Sequence, residues 1–139
     1  MRQIPLAEEL YGTEHEKTAT SYNNIGLLYN AQGDYPKALE YYFKALKIRE
    51  KVLGTDHPDT ASSYNNIGSL YYKKGKYKEA LEYLNKALEI FKTKLGSDHP
   101  NTKATQGWII AVIAAMEGDH ANRSFFQRLK SFFKFIGVR

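Results

Sequence analysis

Histidine returns every 42 residues in this chain, at His15, His57 and His99, and glycine keeps the same interval at Gly12, Gly54 and Gly96. Between these posts whole segments recur. Tyr22-Asn23-Asn24-Ile25-Gly26 comes back as Tyr64-Asn65-Asn66-Ile67-Gly68, and Ala38-Leu39-Glu40-Tyr41 as Ala80-Leu81-Glu82-Tyr83. A period of this length belongs to stacked supersecondary units, none of which can bury its apolar face alone. Stacks of that kind offer partners an extended surface and rarely carry chemistry of their own. The expectation is a binding scaffold and not an enzyme.

Each unit reads as a helical hairpin. Tyr22, Ile25, Gly26 and Tyr29 fall at i, i+3, i+4 and i+7, one stripe of a helix. A glycine inside a helix costs about 1 kcal/mol against alanine. The return of Gly26 as Gly68 therefore predicts a neighbouring helix too close to admit a Cβ. Gly33 and Gly75 break the first helix, and a second stripe follows through Tyr35, Ala38, Leu39, Tyr42, Ala45, Leu46 and Ile48. This second helix is expected to end at Gly54. Thr55-Asp56-His57-Pro58 then restarts the pattern, with Thr55 or Asp56 as the expected cap and Pro58 in the first turn. Ser97-Asp98-His99-Pro100 repeats it, with Ser97 or Asp98 in the capping role.

The set Tyr22, Ile25, Gly26, Tyr29, Ala38, Tyr42, Ala45 resembles the tetratricopeptide (TPR) signature, and Tyr64, Ile67, Gly68, Tyr71, Ala80, Leu84, Ala87 repeats it. The long period and the linker Leu53-Gly54-Thr55-Asp56-His57-Pro58-Asp59-Thr60, which recurs from Leu95 to Thr102, resemble the kinesin-light-chain type of repeat. The resemblance covers about residues 13–104. It implies an all-α fold, a short right-handed α-solenoid of antiparallel helical hairpins closed by a degenerate C-terminal capping hairpin. The expected divisions are a partial preceding helix over 1–12, two full repeats over 13–54 and 55–96, and a worn third hairpin over 97–139. Three departures stand out. Glu50 and Lys92 replace the usual proline near the end of the second helix, so that helix continues. Ile4–Tyr11 looks like the last turns of a second helix without its first, as in a piece of a longer array. Gln106, Ile109 and Ile110 stand where the pattern wants tyrosine, isoleucine and glycine.

The resemblance also implies a site. In this family the concave face holds extended peptides, and the matching positions here are Asn23, Leu27 and Asn30, then Asn65, Ser69, Tyr72 and Lys73. An asparagine side chain donates and accepts at once, so Asn23 and Asn65 are expected to clamp a peptide backbone. Asn24 and Asn66 match an asparagine that in many repeats either touches the ligand or ties neighbouring repeats together. The implied function is non-catalytic protein–protein interaction, an adaptor or scaffold role of the kind kinesin-light-chain repeats play in cargo recognition.

Composition narrows the field. The absence of cysteine excludes disulfides, thiolate chemistry and cysteine-ligated zinc. With no secretory signal at Met1–Pro5, the chain is expected to be cytoplasmic. The longest apolar run, Trp108–Met116, is far short of the ~20 residues that span a bilayer. No Gly-rich phosphate loop or glycine-flanked nucleophilic serine is present, and no cofactor is expected. Histidines spaced one unit apart cannot converge on one ion, so they read as loop-stabilising and no metal is expected. Lys73, Lys74, Lys76 and Lys78 cluster at one turn, where they can meet acid or phosphate groups or simply face solvent. Residues 1–119 balance fifteen bases against fifteen acids, so a nucleic-acid partner is not expected. Glu40–Lys44 and Glu82–Lys86 are spaced for surface pairing.

The whole net charge of +5 comes from the tail, at Arg123, Arg128, Lys130, Lys134 and Arg139. Phe125, Phe126, Leu129, Phe132, Phe133 and Ile136 follow i, i+1, i+4, i+7, i+8 and i+11, the apolar face of an amphipathic helix. The favoured reading is a cap over the Trp108–Met116 helix, as the second half of the third hairpin. The alternative is a membrane-surface or self-association module acting through that face, with Phe135 off the stripe and exposed.

Overall fold

Seven helices follow one another, with no strand among the described residues. The computed structural model describes residues 5–118 and 123–136, by backbone alone at 123–126 and 136. A short α1 (Leu6–Tyr11) precedes two full hairpins, α2 (Glu16–Ala31) with α3 (Tyr35–Val52) and α4 (Pro58–Lys73) with α5 (Tyr77–Leu95). A third pair, α6 (Pro100–Glu117) and α7 (Arg123–Ile136), closes the chain. The fold is an all-α helical repeat solenoid, as its period predicts.

The joints between units corrected one expectation. Helices α2, α4 and α6 are capped by the periodic histidines themselves, not by Thr55, Asp56, Ser97 or Asp98. The Nδ1 of His15, His57 and His99 accepts the backbone N–H two residues on, at 2.9, 3.0 and 3.1 Å. Each histidine has the extended backbone of an N-cap, which places the imidazole over the first turn. One turn further in, the buried hydroxyls of Thr18, Thr60 and Thr102 donate to the carbonyls of Gly12, Gly54 and Gly96, at 2.6, 2.8 and 2.7 Å. Those glycines end the preceding helix at positive φ, which a side chain would oppose. Linker, cap and lock thus repeat as one piece. Replacing His57 by alanine is expected to lower stability by about 1 kcal/mol, while His57→Asp, which keeps an acceptor, restores most of it. Urea melts of the two variants distinguish this from a passive loop histidine, for which the two would behave alike.

Inside each hairpin the helices touch at glycine. A Cβ built on Gly26 would lie 2.5 Å from Tyr42 Cδ1, and one on Gly68 would lie 2.6 Å from Leu84 Cγ. Around these contacts Ala38, Tyr42, Leu46, Ile67, Leu70, Ala87 and Phe91 form one buried cluster that runs from the first hairpin into the second. A second cluster joins Leu81, Leu84 and Leu88 of α5 to Ile109, Val112 and Met116 of α6.

The tyrosines do more than fill space. Tyr64 donates to the Glu50 carboxylate at 2.8 Å, and Tyr22 makes the same bond to Glu8, so the residue in the family's proline position reaches the next unit. Lys44 lies over the rings of Tyr22 and Tyr41, and Lys86 repeats this over Tyr64 and Tyr83. These ring contacts, at 5.0–5.5 Å, occupy the lysines expected to pair with Glu40 and Glu82. Burial, reinforced by the bond to Glu50, raises the Tyr64 hydroxyl well above its ordinary pKa; burial also raises Tyr42, Tyr71 and Tyr83. Unfolded tyrosines ionise near ~10. Above that pH the folded chain holds more protons than the unfolded one, so stability falls as pH rises. Denaturant midpoints should be insensitive to these groups up to about pH 9 and then drop. A midpoint that shows no decline beyond about pH 11 would contradict the burial of these phenols.

The period reaches further than the sequence shows at first sight. Leu129 and Phe133 of α7 lie 42 residues after Ala87 and Phe91, and Phe133 is buried against α6 with Leu129 beside it. So α7 takes the place of a second helix. Of the expected apolar face, Phe132 remains more than half exposed, and the side chains of Phe125, Phe126 and Ile136 lie outside the described residues. Lys130 and Arg123 stand in register with Leu88 and Leu81, which receive the next unit on α5.

Candidate functional site

The first helices of successive units lie side by side, and their facing polar side chains are bonded across the joint. Asn66 donates to Asn23 Oδ1 at 2.9 Å, joining α4 to α2. Lys73 donates to Asn30 Oδ1 at 3.2 Å one helical stretch further on. Between α4 and α6, the buried Thr105 hydroxyl is shared between Asn65 Oδ1 at 3.0 Å and the Asn101 carbonyl of its own helix at 2.9 Å. Three of these rungs thus run along one face of the solenoid. Asparagine suits them because its short amide can accept from one neighbour while its own helix stays intact.

This arrangement alters what the expected residues offer. The Oδ1 atoms of Asn23, Asn30 and Asn65 already accept a bond from the next unit, and Asn66 acts as the donor of a rung. Ser69 is buried, and its hydroxyl turns back to the Asn66 carbonyl at 3.0 Å. Leu27 and Asn24 are the open ones: Leu27 is 45% exposed, and Asn24 faces solvent one residue from the first rung. Tyr72 is half-buried and meets Trp108 edge-on at a ring distance of 5.8 Å. The sequence reading did not place Trp108 at the site. It lies 42 residues after Asn66 and 84 after Asn24, so the register itself was the signal. Leu27 of α2, Tyr72 of α4 and Trp108 of α6 put apolar side chains along this face, the last two in ring contact.

Beyond this face the described residues hold no group of three His, Asp or Glu arranged to take a metal ion. No described helix is long and apolar enough to cross a membrane. A cleft of ≈ 510 Å³ opens elsewhere, between the Thr55-Asp56 linker and Lys86, Glu89, Ile90 and Lys94 of α5. The corresponding place in the first unit is bridged by Lys51 and Glu14 at 2.6 Å; Thr93 and Asp56 replace that pair in the second.

The tetratricopeptide repeat family model matches residues 2–51, 22–93 and 65–107. Among curated proteins none matches the chain. Among solved structures, BtubC (BKLC) from P. vanneervenii is similar, with 27% identity and a TM-score of 0.72 over 92% of this chain and 52% of that one. Two structures of a Podosopora anserina kinesin light chain-like protein with nearly identical TPR-like repeats share the fold. One, at 21% identity, has a TM-score of 0.65 over 94% of this chain and 62% of its own. The other, at 22% identity, has a TM-score of 0.64 over 90% and 59%. The chain thus spans between half and two thirds of the length of these structures. Repeats of this fold generally serve as scaffolds for protein–protein interaction. With its matched span, its helical hairpins and its period agreeing, the chain belongs to the tetratricopeptide repeat family.

Proposed function

We propose that the chain binds an extended peptide or partner segment along the face formed by α2, α4 and α6, and does no chemistry there. The observation that carries this reading is the set of apolar side chains, Leu27, Tyr72 and Trp108, on a face whose helices are already tied together by polar rungs. A face held rigid before binding loses little entropy when a ligand settles on it, so its contacts convert well into affinity. These apolar groups would take ligand side chains. Asn24 and Lys73, both exposed on the same helices, would take backbone carbonyls.

The rungs also set which substitutions report on binding. Removing Asn23 or Asn65 breaks a joint between units, so those variants lose stability along with any affinity. Leu27 is free of that confusion. Peptides selected from a random displayed library on the immobilised chain are expected to lose about tenfold in affinity, or ~1.4 kcal/mol, on Leu27→Glu, with an unchanged melting curve. Selected peptides that bind Leu27→Glu and wild type equally would place the binding surface elsewhere.

A further inference from the structure

Two aromatic rings form a corner between α4 and α6. Tyr72 and Trp108 stand 5.8 Å apart with their planes at 63°, and Tyr77, 6.1 Å from Tyr72, braces that ring. All three pack on the cluster that joins α5 to α6 and keep part of their surface in water. Rings anchored in a core hold their angle when a ligand arrives. The register shows that this corner is particular to one joint. Tyr72 stands where the first hairpin has Asn30, and Trp108 where the first two have Asn24 and Asn66.

Beside Trp108 the helix is pared back to backbone. Gly107, in register with Asn23 and Asn65, is exposed, and nothing lies within 4 Å of a Cβ built on it. Gly26 and Gly68 are required by a neighbouring helix; Gly107 is not, yet it carries the same helix cost of ~1 kcal/mol. A glycine with no packing reason suits the close approach of another backbone.

The polar groups near the corner lean toward donors. The Trp108 indole can only donate, and so can the exposed ammonium groups of Lys73 and Lys74. The Oδ1 atoms of Asn23 and Asn30 are already taken by the rungs. A proline-rich segment has the complementary chemistry. It lacks an N–H at every proline, its polyproline II helix leaves every carbonyl free to accept, and its rings pack against angled aromatic side chains. We propose that the segment bound on this face is proline-rich and crosses Tyr72 and Trp108 as a polyproline II helix, its carbonyls turned to the Trp108 indole and Lys73. This rests on the face of α2, α4 and α6 being the binding surface, and adds the class of its ligand. Such a segment is extended before it binds, so it loses less entropy than a flexible chain of equal length.

Trp108 is the single tryptophan of the chain, so its fluorescence reports on this corner alone. The test adds capped decaproline, or a capped glycine-serine peptide of equal length, to the whole chain. Decaproline is expected to move the Trp108 emission to shorter wavelength, saturably, with a Kd about tenfold or more below that of the glycine-serine peptide. Tyr72→Leu, which keeps an apolar side chain on the cluster, should weaken decaproline about tenfold. Gly107→Gln should do the same while raising the melting temperature, so it carries the test if Tyr72→Leu fails to fold. An emission that decaproline leaves unmoved, or that both peptides move equally, overturns the proposal. The peptide selection with Leu27→Glu separates the two claims. Proline-free peptides that lose affinity on Leu27→Glu would leave the face standing and the proline preference refuted. Decaproline bound at Trp108, with selected peptides indifferent to Leu27→Glu, would uphold the proline site and refute the wider face.

Discussion

Gly68→Ala is expected to destabilise the chain by about 1–3 kcal/mol, against the rule that alanine improves a helix by ~1 kcal/mol over glycine. The reason is distance. A Cβ on Gly68 would lie 2.6 Å from Leu84 Cγ, 2.9 Å from Leu84 Cδ2 and 3.1 Å from the Ala80 carbonyl. Leu84 Cγ is a branch point held in a filled cluster, and the carbonyl belongs to the helix backbone, so neither yields without moving α5. The structure supplies its own control. Gly107 lies inside α6 with nothing within 4 Å of a built Cβ, so Gly107→Ala should stabilise by up to ~1 kcal/mol. A second control removes the obstacle. In a Leu84→Ala background, which by itself costs about 2–5 kcal/mol, Gly68→Ala should turn neutral or favourable. Urea denaturation of the four variants reads all of this; a stabilising Gly68→Ala in the wild-type background would contradict the close approach of α4 and α5.

Arg49→Ala should be among the most damaging single changes, at about 2–4 kcal/mol. Arg49 is buried at the joint of the first two units, where its Nη1 donates to Ser63 Oγ at 3.0 Å and to the Asp59 carbonyl at 3.3 Å. Its Nε lies 3.4 Å from Glu16 Oε1. Removing one partner of a fully buried pair costs about 3–5 kcal/mol. Glu16 keeps some contact with water, which lowers the figure here. Yet the pair is imperfect, since Arg49 Nε and Glu16 Oε2 have no hydrogen-bond partner. Forty-two residues on, the chain solves the same joint with Pro58 and Phe91 in place of Glu16 and Arg49. Arg49→Phe with Glu16→Pro should therefore stay within about 1 kcal/mol of wild type or exceed it, because an apolar pair of suitable shape avoids the desolvation of two charges. If the double replacement is as damaging as Arg49→Ala, the two joints are not equivalent and the register argument fails there.

How much of this could be read from the chain varies with the physics involved. Helix identity and hairpin pairing were legible because burial imposes a spacing: Tyr22, Ile25, Gly26 and Tyr29 could only be one face of a helix. Gly26 and Gly68 were legible because a costly residue repeated in place needs a reason. The caps were not. General preference names aspartate, serine and threonine, all present in the linker, and only the backbone angles show that the histidine sits at the first turn. Glu50 and Tyr64 were within reach, since their separation of 14 is also that of Glu8 and Tyr22. Arg49 was hidden because a basic residue in the last turn of a helix normally faces solvent. At the candidate site, the bonds that its members make between units were not legible. Asn23 and Asn65 were read as groups awaiting a ligand, and their bonds to Asn66 and Thr105 depend on the distance between units, which no spacing along the chain encodes.

The face of α2, α4 and α6 is the proposed surface that partners meet. The measurement that tests it directly is a backbone and side-chain NMR titration of the whole chain with a library-selected peptide. The expected result is a continuous line of shift changes through Asn24, Leu27, Tyr72, Lys73 and the Trp108 indole, with the outer helices α3 and α5 silent. Changes confined to α7, or to the cleft beside Thr55 and Lys94, would contradict it.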